Sequence, residues 1–275
     1  MQFLLYYKGM QKKTYLQESI KGGRLMRWNM MPLKVFIEPM KFYSKQGQDL
    51  KYRRMVIQAL DEWHKVSNGK VSFVIVDNLL SSNVNIEWKR VQRQALGHCI
   101  FQYDRNNRLY SAEVTIGLTE GLVHADYNDE GETYHTILHE IGHAIGLGHS
   151  PFKDDIMYTP HQKGVIHVGA GDRLSVNWLY TFPQGKTVNE IASKYSTGGS
   201  DLDEVVANII AKKAKTEFEK VKDSVEIPPE KNLLDETQNI GDLKKYNMSL
   251  QNVQISADLR EQIKKHYRDS TMKNT

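Results

Sequence analysis

The chain has 275 residues, 40% of them hydrophobic and 25% charged, a composition that predicts one large globular domain or one domain with an appendage. Thirty-seven basic and 33 acidic residues leave a net charge of +4, too small and too dispersed to argue for nucleic acid. The single cysteine, Cys99, excludes an intrachain disulfide, a Cys-rich zinc finger and a redox pair, and no run reaches the ~18–20 apolar residues of a membrane span.

Residues 1–30 read as a polar, weakly patterned extension broken at Gly22-Gly23. The apolar run at its start, residues 1–8, is shorter than a signal-peptide core and lacks a cationic lead, so no export signal is read there. Pro32 opens an alternating run over 33–38 that predicts a strand. Residues 49–67 predict a helix, with Tyr52, Val56, Ala59, Leu60, Trp63 and Val66 at three- and four-residue steps and Asn68-Gly69 as its close. Strands are expected over 71–76, 84–88, 96–102 and 112–118, the last two joined by the turn-rich segment 104–108. A second helix is expected near 133–145. This order predicts an α/β or α+β domain with a mixed sheet.

Beyond Pro183 the composition turns rich in Lys, Glu and Asn. Residues 201–221 form an amphipathic helix candidate, with Leu202, Val205, Val206, Ile209, Ile210, Phe218 and Val221 on one side. The run 227–230 breaks it, and a shorter helix is expected over 256–267. The expected division is an extension (1–30), a catalytic domain (31–183) and a charged helical tail (184–275) of solvated helices and linkers that at most dock weakly on the domain.

One constellation carries chemistry. Residues 139–149 read His139-Glu140-Ile141-Gly142-His143-Ala144-Ile145-Gly146-Leu147-Gly148-His149. On a helix, His139 and His143 stand one turn apart on the same face, so both imidazoles can reach one metal ion. Glu140 is about 100° further round, beside the metal without competing as a ligand, where a general base for an activated water should stand. Gly146 can adopt positive φ, end the helix and turn the chain, which lets His149 approach the same ion. Three imidazoles with one open position suit a catalytic zinc, whereas structural zinc takes four protein ligands.

This extended motif resembles that of the metzincin zinc endopeptidases. Ser150 after the third histidine is similar to the matrixin branch, and Asp155-Ile156-Met157-Tyr158 resembles the turn that places a methionine beneath the zinc. The resemblance implies an α+β (α/β sandwich) metzincin fold: a twisted, mixed five-stranded sheet, a backing helix, an active-site helix and a small C-terminal subdomain. It implies that Met157 is an apolar floor and not a ligand, and that Tyr158 shapes the wall of a substrate pocket. Asp172 through Tyr180 resembles the C-terminal helix, with Asp172 bracing the methionine turn, capping the helix N-terminus, or both. Leu96, Gly97 and His98 fall on the edge strand expected to line the cleft and pair with an extended peptide.

The chain departs from the animal enzymes. Nothing matches their cysteine-bearing propeptide segment or their hemopexin-like repeats, and the compact form looks more like bacterial matrixins. Cys99 is read as a buried or half-buried thiol and not a latch. His98 matches one position of the second, structural zinc, but Thr115 and its neighbours supply no partner, so one zinc ion is expected. Asp126, Asp129, Glu130 and Glu132, near His124 and His135, read as a solvated acidic loop, with calcium possible but unsupported. The expected function is zinc-dependent endopeptidase action on a protein or peptide, with zinc on His139, His143 and His149 and Glu140 as general base. The alternative is a catalytically silent zinc-binding adaptor acting through its helical tail. No nucleic acid or membrane span is expected, a monomer is assumed, and the resemblance favours an extracellular or cell-envelope location.

Overall fold

The computed structural model describes residues 13–40, 48–90, 97–118 and 130–224. The chain divides into two compact units, residues 1–217 and 218–275, and the account below concerns the first. Leu33–Ile37 (β3), Phe73–Val76 (β4), Val84–Arg90 (β5), Gly97–Tyr103 (β6) and Leu109–Leu118 (β7) form one sheet in the order β4-β3-β5-β7-β6. A two-stranded hairpin, Ile20–Lys21 (β1) with Arg24–Leu25 (β2), precedes it. The pairs β3–β4, β3–β5 and β5–β7 are parallel, and only β6 runs antiparallel, against β7. The five-stranded mixed sheet expected from the sequence is therefore present, and β6 lies at one edge.

Helix α1 (Gln48–Val66) connects β3 to β4 and buries Val56, Ala59, Leu60 and Trp63. It ends where Asn68 and Gly69 both take positive φ and Gly69 N–H closes onto His64 O at 3.0 Å. Helix α2 (Glu130–Ala144) packs on α1 and across β6 and β7. Two fully buried indoles hold it: Trp63 Nε1–H donates to Leu138 O at 3.0 Å and Trp28 Nε1–H to Ala144 O at 2.8 Å. The second bond satisfies a carbonyl of the last turn, which has no partner inside the helix.

Two segments depart from the sequence reading. Residues 14–28 are not a loose extension: Tyr15, Leu16, Leu25, Met26 and Trp28 lie in the core. Nor do residues 184–217 form only a solvated tail. Helix α4 (Val188–Lys194) buries Ile191 and Ala192, and helix α5 (Leu202–Ser224) buries Leu202, Val205, Val206 and Ile209 in that same core. Of the apolar stripe expected there, Leu202, Val205, Val206 and Ile209 are buried and Ile210 is partly buried, while the side chains of Phe218 and Val221 lie outside the described residues. The proposed helix over 256–267 lies outside the described residues. Among the described residues, no helix is long and apolar enough to cross a membrane.

Smaller differences are in the boundaries. β7 starts at Leu109, three residues before the alternation becomes clean, because Leu109 pairs with Tyr103 of β6 beyond a register shift, and its N–H also donates to Arg27 O of the N-terminal segment. Helix α2 starts at Glu130, its first turn carrying Glu130 and Glu132 where acidic side chains favour a helix N-terminus.

Candidate active site

Helix α2 places His139 and His143 on one face. After Ala144 the chain turns: Gly146 has φ +94°, its N–H bonds His143 O at 2.9 Å, and Leu147 N–H bonds Gly142 O at 3.0 Å. The turn brings His149 back over the helix end. Ring centroids are 4.8 Å apart for His139–His143, 5.5 Å for His139–His149 and 4.7 Å for His143–His149. One ligand atom from each lies within 4.8 Å of the others, the one such three-residue cluster among the described residues.

The His139 and His143 imidazoles are arranged to present Nε2. His139 Nδ1 donates to Ile156 O at 2.7 Å and His143 Nδ1 to Leu147 O at 2.9 Å, which fixes the tautomer and leaves Nε2 with its lone pair. Burial lowers the pKa of both; His143 falls to about 3, helped by His139 and His149, while its carbonyl partner opposes the shift. Neutral imidazoles are the form that binds a metal.

Glu140 is 6% exposed, and its Oε2 is buried without a partner. Desolvation raises its carboxyl pKa to about 8. A buried carboxylate with an unsatisfied oxygen is costly unless a cation or a proton donor completes it. Gly97 of β6 faces Glu140 directly. A Cβ on Gly97 would stand 2.7 Å from both Glu140 Cγ and Thr136 Cγ2, so the edge strand lies against the glutamate only because this residue has no side chain. His98 is exposed on that strand and pairs in register with Thr115, whose hydroxyl donates to Glu87. Leu96 lies outside the described residues. Cys99 is half-buried, and burial with the nearby Glu140 charge pushes its thiol pKa up, which keeps it protonated and unreactive.

Met157 is fully buried beneath the helix, where a Cβ on Gly142 would overlap its Sδ. The turn around it is pinned from both sides. Ser150 N–H donates to Met157 O at 2.8 Å and Ser150 Oγ–H to Asp155 Oδ2 at 2.7 Å, while Asp155 Oδ1 accepts Gly171 N–H at 3.0 Å. On the other side, Asp172 Oδ2 accepts Ile156 N–H at 2.6 Å and Oδ1 accepts Met157 N–H at 3.4 Å. Asp172 is the third residue of helix α3 (Ala170–Leu179), and Gly169 is the N-cap. It therefore caps by reaching back, Oδ2 accepting Gly169 N–H at 2.8 Å, while it also braces the methionine turn. Burial, then Asp155, raises its carboxyl pKa to about 6, against the pull of Tyr15 O–H and the amide donors. Tyr158 is half-buried, with its N–H on Asp155 O at 3.2 Å.

Several residues that shape this site were not apparent from sequence. Glu132, buried on α2, pairs with His161, and His135 Nδ1 donates to Val165 O at 2.5 Å, so the loop after Tyr158 is tied to the helix that carries His139. Glu130 and Glu132 form the first turn of helix α2, not a solvated loop; Asp126, Asp129 and His124 lie outside the described residues. Ser150 served as a family marker, with no sign of its bond to Asp155. In comparison with known proteins, the family model described as matrixin matches residues 28–181. No curated protein matches the chain.

Proposed function

The chain belongs to the matrixin family, which makes it a metallopeptidase hydrolase of a zinc-dependent family acting on protein substrates, and from that premise we propose that it is a zinc endopeptidase with Glu140 as general base. The observation that carries this reading is the convergence of His139, His143 and His149 within 4.8 Å beside the buried, unpartnered Oε2 of Glu140. A divalent cation fits there, because it completes three imidazole nitrogen donors and favours the ionised carboxylate next to them. When bound, zinc supplies Lewis-acid polarisation of the scissile carbonyl and acidification of the attacking water.

In this reading the chain's own residues do the following. His139, His143 and His149 hold the ion through Nε2, the first two oriented by Ile156 O and Leu147 O. Glu140 accepts the proton of the attacking water and passes it to the leaving amine, so no covalent enzyme intermediate forms. The outer edge of β6 offers backbone groups to an extended peptide, with Gly97 bringing that edge against Glu140. Met157 supports the helix from below, and Tyr158 with the loop after it forms the wall of the pocket for the side chain that follows the cleaved bond. The catalytic machinery occupies residues 31–183 within a compact unit that extends to Glu217.

The test pairs metal content with cleavage. Wild-type protein should bind one zinc ion and cleave an unstructured protein such as casein. Glu140→Ala should keep stoichiometric zinc and lose about 10²–10⁴-fold in cleavage, the usual contribution of a general base. A wild-type protein with one bound zinc that cleaves nothing in a broad peptide library would overturn the peptidase reading and leave the adaptor.

A further inference from the structure

The three histidines are not held alike. His139 and His143 sit on a helix, and each ring is fixed by a carbonyl. His149 is exposed, lies beyond the helix on a turn, and its ring has no hydrogen bond among the described residues. A ligand without an outer partner has to be aimed by its backbone.

The contacts on that backbone come from the opposite end of the chain. The 3-10 turn Gln17–Ser19 lies against residues 146–149. Ser19 Oγ–H donates to Gly146 O at 2.8 Å, and Glu18 Oε2 accepts His149 N–H at 3.1 Å. Two consecutive side chains thus hold the first and last residues of the turn that carries the third histidine. The approach is close enough to explain Gly148, which does not have positive φ: a Cβ there would overlap Glu18 and stand 2.8 Å from its Cδ. The 3-10 turn is itself anchored. Tyr15 N–H donates to Ser175 Oγ at 3.1 Å, Leu16 N–H to Asp203 Oδ1 at 2.8 Å, and Leu16 is fully buried.

We propose that Glu18 is a positioning residue of the metal centre. Its carboxylate fixes the Gly148–His149 peptide and so directs the His149 imidazole to the point on which His139 and His143 converge. The bond is charge-assisted, which makes it stronger than a neutral amide contact. Residues 14–19, anchored on α3 and α5, then serve as a strut for the third ligand. The inference rests on the zinc reading above.

Wild type, Glu18→Ala, Glu18→Gln and Gly148→Ala are compared by chelator competition for zinc and, with cobalt in place of zinc, by visible absorption, which reads ligand geometry. Glu18→Ala should weaken zinc binding about tenfold, as loss of a ligand's outer partner does, and should perturb the cobalt bands. Glu18→Gln keeps an acceptor for His149 N–H and should restore most of both. Gly148→Ala pushes Glu18 away from the other side and should repeat the alanine effect. Zinc affinity and cobalt spectrum unchanged in Glu18→Ala overturn the proposal, even if the metal-free protein unfolds at a lower temperature. A wild type that binds no zinc overturns the reading of the site instead, so the two failures are distinct.

Discussion

Glu140 and the histidines beside it respond to pH in opposite senses. A buried carboxyl whose folded-state pKa is raised from 4.5 to about 8 contributes stability fully below its unfolded value and loses it as pH rises through about 8. His143 and His135, lowered by burial to about 3 and about 4, contribute stability above 6.5 that is lost as pH falls through those values. The metal-free protein should therefore lose stability on both sides of an intermediate pH. Glu140→Gln isolates one arm. In metal-free protein it should match wild type near pH 4.5 and exceed it at pH 9 by up to about 5 kcal/mol, at ~1.4 kcal/mol per pKa unit. Saturating zinc should shrink that gain, because the cation favours the carboxylate. Denaturant unfolding at the two pH values measures both effects, and an unchanged difference between them would mean that burial does not set the Glu140 carboxyl.

Between elements, the decisive contact is β6 on α2. The strand and the helix each follow from their own periodicity, yet nothing in either pattern says that Gly97 must be bare because Glu140 and Thr136 press on it. Gly97→Ala should push the strand away from the glutamate, because α2 is held from other directions by Trp28, Trp63 and Met157. Overpacking of this kind costs about 1–3 kcal/mol. Turnover should fall tenfold or more with zinc content unchanged, and activity and metal analysis on the same sample check it. An active Gly97→Ala enzyme would show that this approach is dispensable. The histidine spacing was legible at this scale because i and i+4 share a helix face whatever surrounds them. Asp172 was only partly so. Its place near a helix start is local, while its bonds to Ile156 and Met157 join segments about 15 residues apart through packing alone.

For the whole molecule, the unexpected result is that residues 15–28 and 191–209, from either side of the expected catalytic domain, are built into the core of the body that carries the site. Leu202, Val205, Val206 and Ile209 are 0–3% exposed. At about 1.5–3 kcal/mol per buried side chain, their burial is comparable to the ~5–15 kcal/mol net stability of a typical domain. A chain ending before Ser200 should be insoluble or unfold without cooperativity. One ending at Glu217 should keep a single unfolding transition and one zinc ion, as circular dichroism during heating and metal analysis would show. Equal stability of the two truncated forms would mean that α5 adds nothing to the core.

The period of the apolar residues in α5 announced a buried face and left open what covers it, since an amphipathic stripe has the same pattern on a domain, on a partner or in a bundle. The sheet, the backing helix, the candidate metal-ligating histidines and the glutamate beside them were readable from sequence because strand alternation, helical repeat and a glycine turn act over a few neighbouring residues. Glu18 under His149, Tyr15 on Asp172 and α5 across the N-terminal segment join residues more than 130 positions apart. Those contacts exist only once the chain has closed on itself, because close packing brings together side chains whose pairing leaves no periodic trace along the sequence.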